Sequence, residues 1–234
     1  MDDSAVIQSY IQIIDRISEA ARRAGRDPGE VQLVAVSKGQ SAAKMNCLRD
    51  FVAERGALVV FGESYVQEFR RKRGGLRPDF RVHFIGGLQR NKAKAAVELF
   101  DVVETVDSRE LARAVNAAAA QIGKVQEVFL QVNVSADAGK HGVALEGAGA
   151  LAEYVKDSCT SLRLCGLMTI TRLYQDPDGA RMDYRRLAEL GRQLTSFCEG
   201  RVQLSMGMSS DFEVAIEEGA TLVRVGSALF GNRN

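Results

Sequence analysis

VQLSMGMSSDFEVAIEEGATLVRVG, residues 202–226, contains two short apolar runs, VQLSMGM (202–208) and TLVRVG (221–226), separated by a charged stretch. Strand, helix and strand in so few residues is the repeating unit of a parallel sheet, whose neighbouring strands need a crossover between them. Six earlier runs keep the same rhythm: LVAVSK (33–38), LVVFGES (58–64), RVHFIGG (81–87), VVETVD (102–107), EVFLQVNVS (127–135) and LRLCGLMTI (162–170). Stretches of helical periodicity lie between most of them, including 108–121, 143–157 and 180–199. Eight such runs predict an α/β fold, a single (β/α)8 TIM barrel. A doubly wound sheet is disfavoured because no G-x-G-x-x-G follows the first run. Ile7, Tyr10, Ile11, Ile14 and Ile17 place an extra amphipathic helix ahead of the barrel, ending near Gly25. No linker or low-complexity segment interrupts residues 1–234, which read as one domain.

Composition narrows the partners. The 31 basic and 30 acidic residues leave a net charge of +1, which offers no global attraction for nucleic acid or an anionic membrane. Cys47, Cys159, Cys165 and Cys198 form no C-x-x-C pair, and His83 and His141 are far apart, so neither a disulfide framework nor a metal shell is expected. The chain starts with Asp2 and Asp3 rather than a basic and then apolar leader, so the cytoplasm is the expected location. Arg70, Arg71, Lys72 and Arg73, with Arg77 beyond them, read as a solvated helix end.

In a barrel, reactive groups gather where strands end and the following loops begin. Lys38 closes the first run and shares strand parity with Val34 and Val36. If that face lines the barrel, the apolar mouth desolvates the amine and makes it a better nucleophile toward an aldehyde. Glu63, Ser64, Asp107, Ser108, Asn133 and Ser135 close other runs. Arg224 lies between Val223 and Val225, where a guanidinium needs either a carboxylate such as Glu63 or Asp107, or a ligand acceptor. Ser210-Asp211-Phe212-Glu213 has the spacing of a capping box, and Gly226 and Ser227 open the turn after the last run. Loops after strands seven and eight are the usual phosphate site of such barrels. An inward lysine, a buried arginine and a phosphate cradle together describe a site for pyridoxal 5′-phosphate (PLP), held as a Schiff base on Lys38.

These residues fall in segments that are recognisable as a set. LVAVSK (33–38), FGESYVQE (61–68), HFIGGLQRNK (83–92), QVNVS (131–135) and LSMGMSSDFEVAIEEGATLVRVGSALFG (204–231) closely resemble the YggS/PROSC family of PLP homeostasis proteins, over about Leu33 to Arg233. That family looks like the barrel domain of bacterial alanine racemase without its second domain. The resemblance implies that Lys38 is the PLP lysine and that Ser205, Met206, Gly207, Ser209, Gly226 and Ser227 fall where the family binds phosphate. It puts Arg224 near the pyridine ring and His83 and Met168 along the pocket. The family usually reads G-E-N where this chain has Gly62-Glu63-Ser64, so Ser64 has a shorter reach toward the cofactor. The implied function is intracellular PLP buffering or delivery, with PLP-dependent apo-enzymes as recipients, a monomeric state and no strong catalysis. The alternative is a weak PLP-dependent amino-acid racemase. Two-base racemisation needs a second group opposite Lys38, and the resemblance, which covers only the barrel, leads us to expect that the domain supplying it in alanine racemase is missing here.

Overall fold

Alternation along each strand sorts side chains into two layers. In β1 (Gln32–Val36), Val34 and Val36 face inward, whereas Leu33 and Ala35 join the layer beneath the helices. The same parity runs through β2 (Val59–Glu63), β3 (Phe80–Phe84), β5 (Gln126–Asn133), β8 (Gln203–Ser205) and β9 (Leu222–Val225), whereas it shifts once within β4 (Val102–Val106) and once within β7 (Leu162–Met168), where the register is irregular. Each of these eight strands pairs in parallel with the next, and β9 returns to β1, so the sheet closes as the expected barrel. The computed structural model describes residues 3–137 and 139–231; Asp2, Ala138 of the 136–142 loop, Arg233 and Asn234 are among the residues outside it.

A two-residue strand, β6 (Val143–Ala144), adds to β5 at Val132 and Asn133. It takes the first two residues of a stretch whose periodicity predicts helix, and α6 (Leu145–Ser158) starts after it. The run 202–208 is strand only over β8, because the chain turns at Gly207, whose φ is +90°. A Cβ there would stand 2.9 Å from Phe212 Cα and 2.6 Å from Ala215 Cβ, so only glycine fits.

The remaining helices are α1 (Asp3–Arg23), α2 (Ala42–Ala53), α3 (Val66–Arg73), α4 (Ala93–Leu99), α5 (Arg109–Gln121), α7 (Arg181–Gln193), α8 (Phe212–Glu217) and α9 (Ser227–Phe230). Ser41 and Ser108 cap α2 and α5 by accepting from Lys44 N and Leu111 N. Between helices and strands lies the larger core, where Phe69 stacks on Phe100 at 5.1 Å. Inside the barrel, Val34, Val60, Ile85, Val102, Phe129, Met168 and Leu222 form a smaller buried cluster. At the N-terminal ends of the strands Glu127 pairs with Arg81 and Arg163. The extra helix α1 lies along α2, α8 and α9, and Arg16 pairs with Glu213 of α8 at 2.6 Å. No described helix is long and apolar enough to cross a membrane.

That Arg16 contact removes one half of the expected capping box. Glu213 turns to α1 rather than back to the helix start, and the N-cap of α8 is Asp211, not Ser210. Asp211 Oδ1 accepts instead from Met208 N at 2.7 Å, which braces the loop after β8.

Candidate functional site: a lysine-bearing cavity at the C-terminal mouth

The inward face of β1 carries the chain to Lys38, two residues past the strand end. Ser37, Lys38, Gly39 and Gln40 form a tight turn closed by a 3.0 Å bond from Gln40 N to Ser37 O. The turn delivers Lys38 to a cavity of about 270 Å³ at the mouth of the barrel. Val36, Ile85, Ile170 and Met208 give this cavity apolar walls, and Gln40, Ser64 and Arg224 add polar groups. Ser209, Gly226, Ser227 and Gly231 complete the lining. The Ser227 hydroxyl donates to that of Ser209 at 3.4 Å, joining the loop after β8 to the start of α9.

Of the residues the sequence singles out, Lys38, Ser64, Ser209, Arg224, Gly226 and Ser227 are thus brought together at one cavity. Ser205, Met206, Gly207, His83 and Met168 are not among its lining residues. Met168 belongs to the inner apolar cluster and Met206 to the layer beneath the helices. Gly207 makes the turn described above. Ser205 and His83 belong to a buried polar chain inside the barrel.

That chain runs across four strands and the segment after β7. Arg224 donates to Ser205 Oγ at 2.8 Å and to Thr169 O at 2.7 Å. The Ser205 hydroxyl donates in turn to Glu104 Oε2 at 2.5 Å, and Glu104 Oε1 lies 2.6 Å from His83 Nδ1. Burial pushes the Glu104 pKa up, but the bond and charge of His83, the charge of Arg224 and the Ser205 hydroxyl outweigh it. The net result lies below the ordinary 4.5. Burial lowers the Arg224 pKa, and Glu104 offsets part of that shift. The carboxylate that faces Arg224 is therefore Glu104, through Ser205, and neither Glu63 nor Asp107. A charged residue inside the apolar run VVETV is the same signal that marks Arg224, and it was available for Glu104.

Glu63 points out of the barrel instead. It is fully buried, accepts from Ser37 Oγ at 2.5 Å and pairs with Lys72 at 2.7 Å. Burial raises its pKa by more than Lys72 lowers it. Lys72 is consequently no solvated charge, with only 10% of its side chain exposed. The other expected strand-end groups shape loops. Ser108 caps α5 and bonds Asp107, Asn133 brackets Asp137, and Ser135 donates to the buried Asp183 at 2.6 Å.

Comparison with known proteins identifies the family. Residues 10–234 match the family described as alanine racemase, N-terminal domain. The chain belongs to that family. Within this alanine racemase N-terminal family it is 41% identical over 232 residues to the pyridoxal phosphate homeostasis protein of Pseudomonas aeruginosa, spanning 99% of this chain and 97% of that one. It is 38% identical over 224 residues to the protein of the same name from Aquifex aeolicus, with 95% and 96% covered. Among solved structures, PipY of Synechococcus elongatus with PLP bound is 35% identical, with a TM-score of 0.75, and the match covers 92% of this chain and all of that one. These relatives bear out the resemblance drawn from the sequence.

Proposed function

We propose that this protein binds PLP in the mouth cavity and carries it on Lys38, as part of intracellular PLP homeostasis. One observation carries the reading: a single cavity brings the Lys38 amine together with the Ser209, Gly226 and Ser227 loops and the Arg224 guanidinium. The donor set fits the cofactor. An amine suits its aldehyde, hydroxyls and turn N–H groups suit its phosphate, and apolar walls suit its ring. When bound, PLP supplies an aldehyde that condenses reversibly with an amine, releasing water.

In this reading Ser209, Gly226 and Ser227 hold the phosphate, with Ser205, Met206 and Gly207 setting the shape of the loop behind them. Arg224 lies on the pyridine side, and Ser64 adds a polar contact. His83 and Met168 act from below, through Glu104 and by packing. An arginine near a ring nitrogen disfavours its protonation and weakens the ring as an electron sink. Such a site favours holding and handing over the cofactor rather than converting amino acids. Apo-enzymes that require PLP are the recipients, and the protein works as a cytoplasmic monomer.

The test is an absorbance spectrum with PLP before and after borohydride, beside Lys38→Ala, followed by mass spectrometry of the reduced protein. A reducible band that depends on Lys38, and a phosphopyridoxyl mass on the Lys38 peptide, are expected. A wild-type protein with neither would remove the reading.

A further inference from the structure

Lys72 stands on the outer side of the barrel wall, yet its bonds converge on the turn that carries Lys38. Its ammonium donates to Ser37 O at 2.9 Å and contacts Gln40 O at 3.4 Å, the carbonyls at the two ends of that turn. It also holds both carboxylates that bind the turn from behind. Glu63, 2.7 Å from Lys72, accepts from Ser37 Oγ, and Glu68, 2.9 Å away, accepts from Gly39 N at 2.7 Å. Ser37, Gly39 and Gln40 are each tied to this cluster while the Lys38 side chain lines the cavity. Gly39, with φ +75°, takes the third position of the turn as a type II geometry requires.

The neighbours of Lys72 behave differently. Arg70 reaches Glu98 on α4, Arg71 bonds its own helix at Gln67 O, and Arg73 lies over the Phe80 ring. Stability alone gives no reason for a buried ammonium between two carboxylates, since apolar groups of similar volume serve packing as well or better. What this cluster adds is a fixed backbone on both sides of one lysine. A nucleophile whose backbone is held loses little further freedom when it bonds.

We propose that Lys72 is a positioning residue for Lys38, acting through the Ser37–Gln40 turn with Glu63 and Glu68 as its partners. This rests on the reading of Lys38 as the attachment point of PLP. The experiment compares wild type, Lys72→Met, Lys72→Arg, Glu68→Ala and the double variant Glu63→Gln/Lys72→Met. Two ligands are used: PLP, and pyridoxine 5′-phosphate, an alcohol that shares the phosphate and ring but cannot bond an amine. Lys72→Met is expected to weaken PLP binding and slow formation of the reducible band by about tenfold or more, the scale of a lost charged hydrogen bond. Affinity for pyridoxine 5′-phosphate should stay within about twofold, as for an independent site. Lys72→Arg should recover part of the loss. Should Lys72→Met fail to fold, the double variant, which leaves no unpaired buried carboxylate, and Glu68→Ala, at a partly exposed position, carry the comparison. Unchanged PLP binding, or equal loss of both ligands, overturns the proposal. A wild-type protein with no Lys38-dependent band sinks the parent reading instead, and that control is run first.

Discussion

Arg224 is a guanidinium inside a barrel, and the Ser205 hydroxyl makes its position tolerable by accepting from it while donating to Glu104. Removing that one oxygen separates the two charges and leaves polar atoms on each without a partner. Ser205→Ala should therefore destabilise the apo-protein by roughly 1–3 kcal/mol, read from urea midpoints at constant m. An unchanged midpoint would show that Arg224 and Glu104 re-pair without it. Glu104 also sets a pH dependence. Its folded pKa lies below 4.5, so it contributes stability above its unfolded value that is lost as pH falls through the folded one. Denaturation midpoints measured from about pH 6 down to about pH 3 should fall less steeply for Glu104→Gln than for wild type. Parallel slopes would mean that the carboxylate is not held low.

Strand β7 meets β8 at Gly166, where a Cβ would stand 2.0 Å from Gln203 O. That atom is backbone and belongs to the ladder that aligns Met168 with Ser205. Gly166→Ala has to part the strands, so it should destabilise by about 3 kcal/mol or more or fail to accumulate as folded protein. A near-native melting curve would contradict the register. At this scale the sequence is informative for a definite reason. Strand parity and position along the strand suffice to bring Lys38, Arg224, Ser209, Gly226 and Ser227 to one end of one barrel. The same reasoning cannot reach Lys72, whose direction depends on how α3 rolls against β1 and β2, and which four consecutive basic residues disguise as surface. Nor could it pair Arg224 with Glu104, because those two meet only after the sheet closes between β9 and β1. The β6 addition was equally illegible: two residues of strand leave no periodicity to detect.

At the scale of the molecule, the cavity is built from loops that follow β1, β2, β3, β7, β8 and β9, so a ligand there bridges most of the ring. Binding to the folded state alone then stabilises the whole barrel rather than one loop. At a hundredfold excess over its Kd, PLP should raise the melting temperature by roughly 5–10 °C. Lys38→Ala should lose most of that gain while keeping a near-wild-type melting temperature without ligand. A ligand-induced rise of equal size in Lys38→Ala would show that the phosphate and ring contacts suffice.

The Glu127 cluster with Arg81 and Arg163 stoppers the far end of the barrel, and the apolar plug around Phe129 fills the space above it. The vessel is a cup and not a tube. Whatever enters must leave past the same rim, so capture and surrender use a single doorway and cannot be tuned apart. Under the proposed role, a recipient that covered this rim would block refilling for as long as it stayed, and each delivery would be a one-shot exchange.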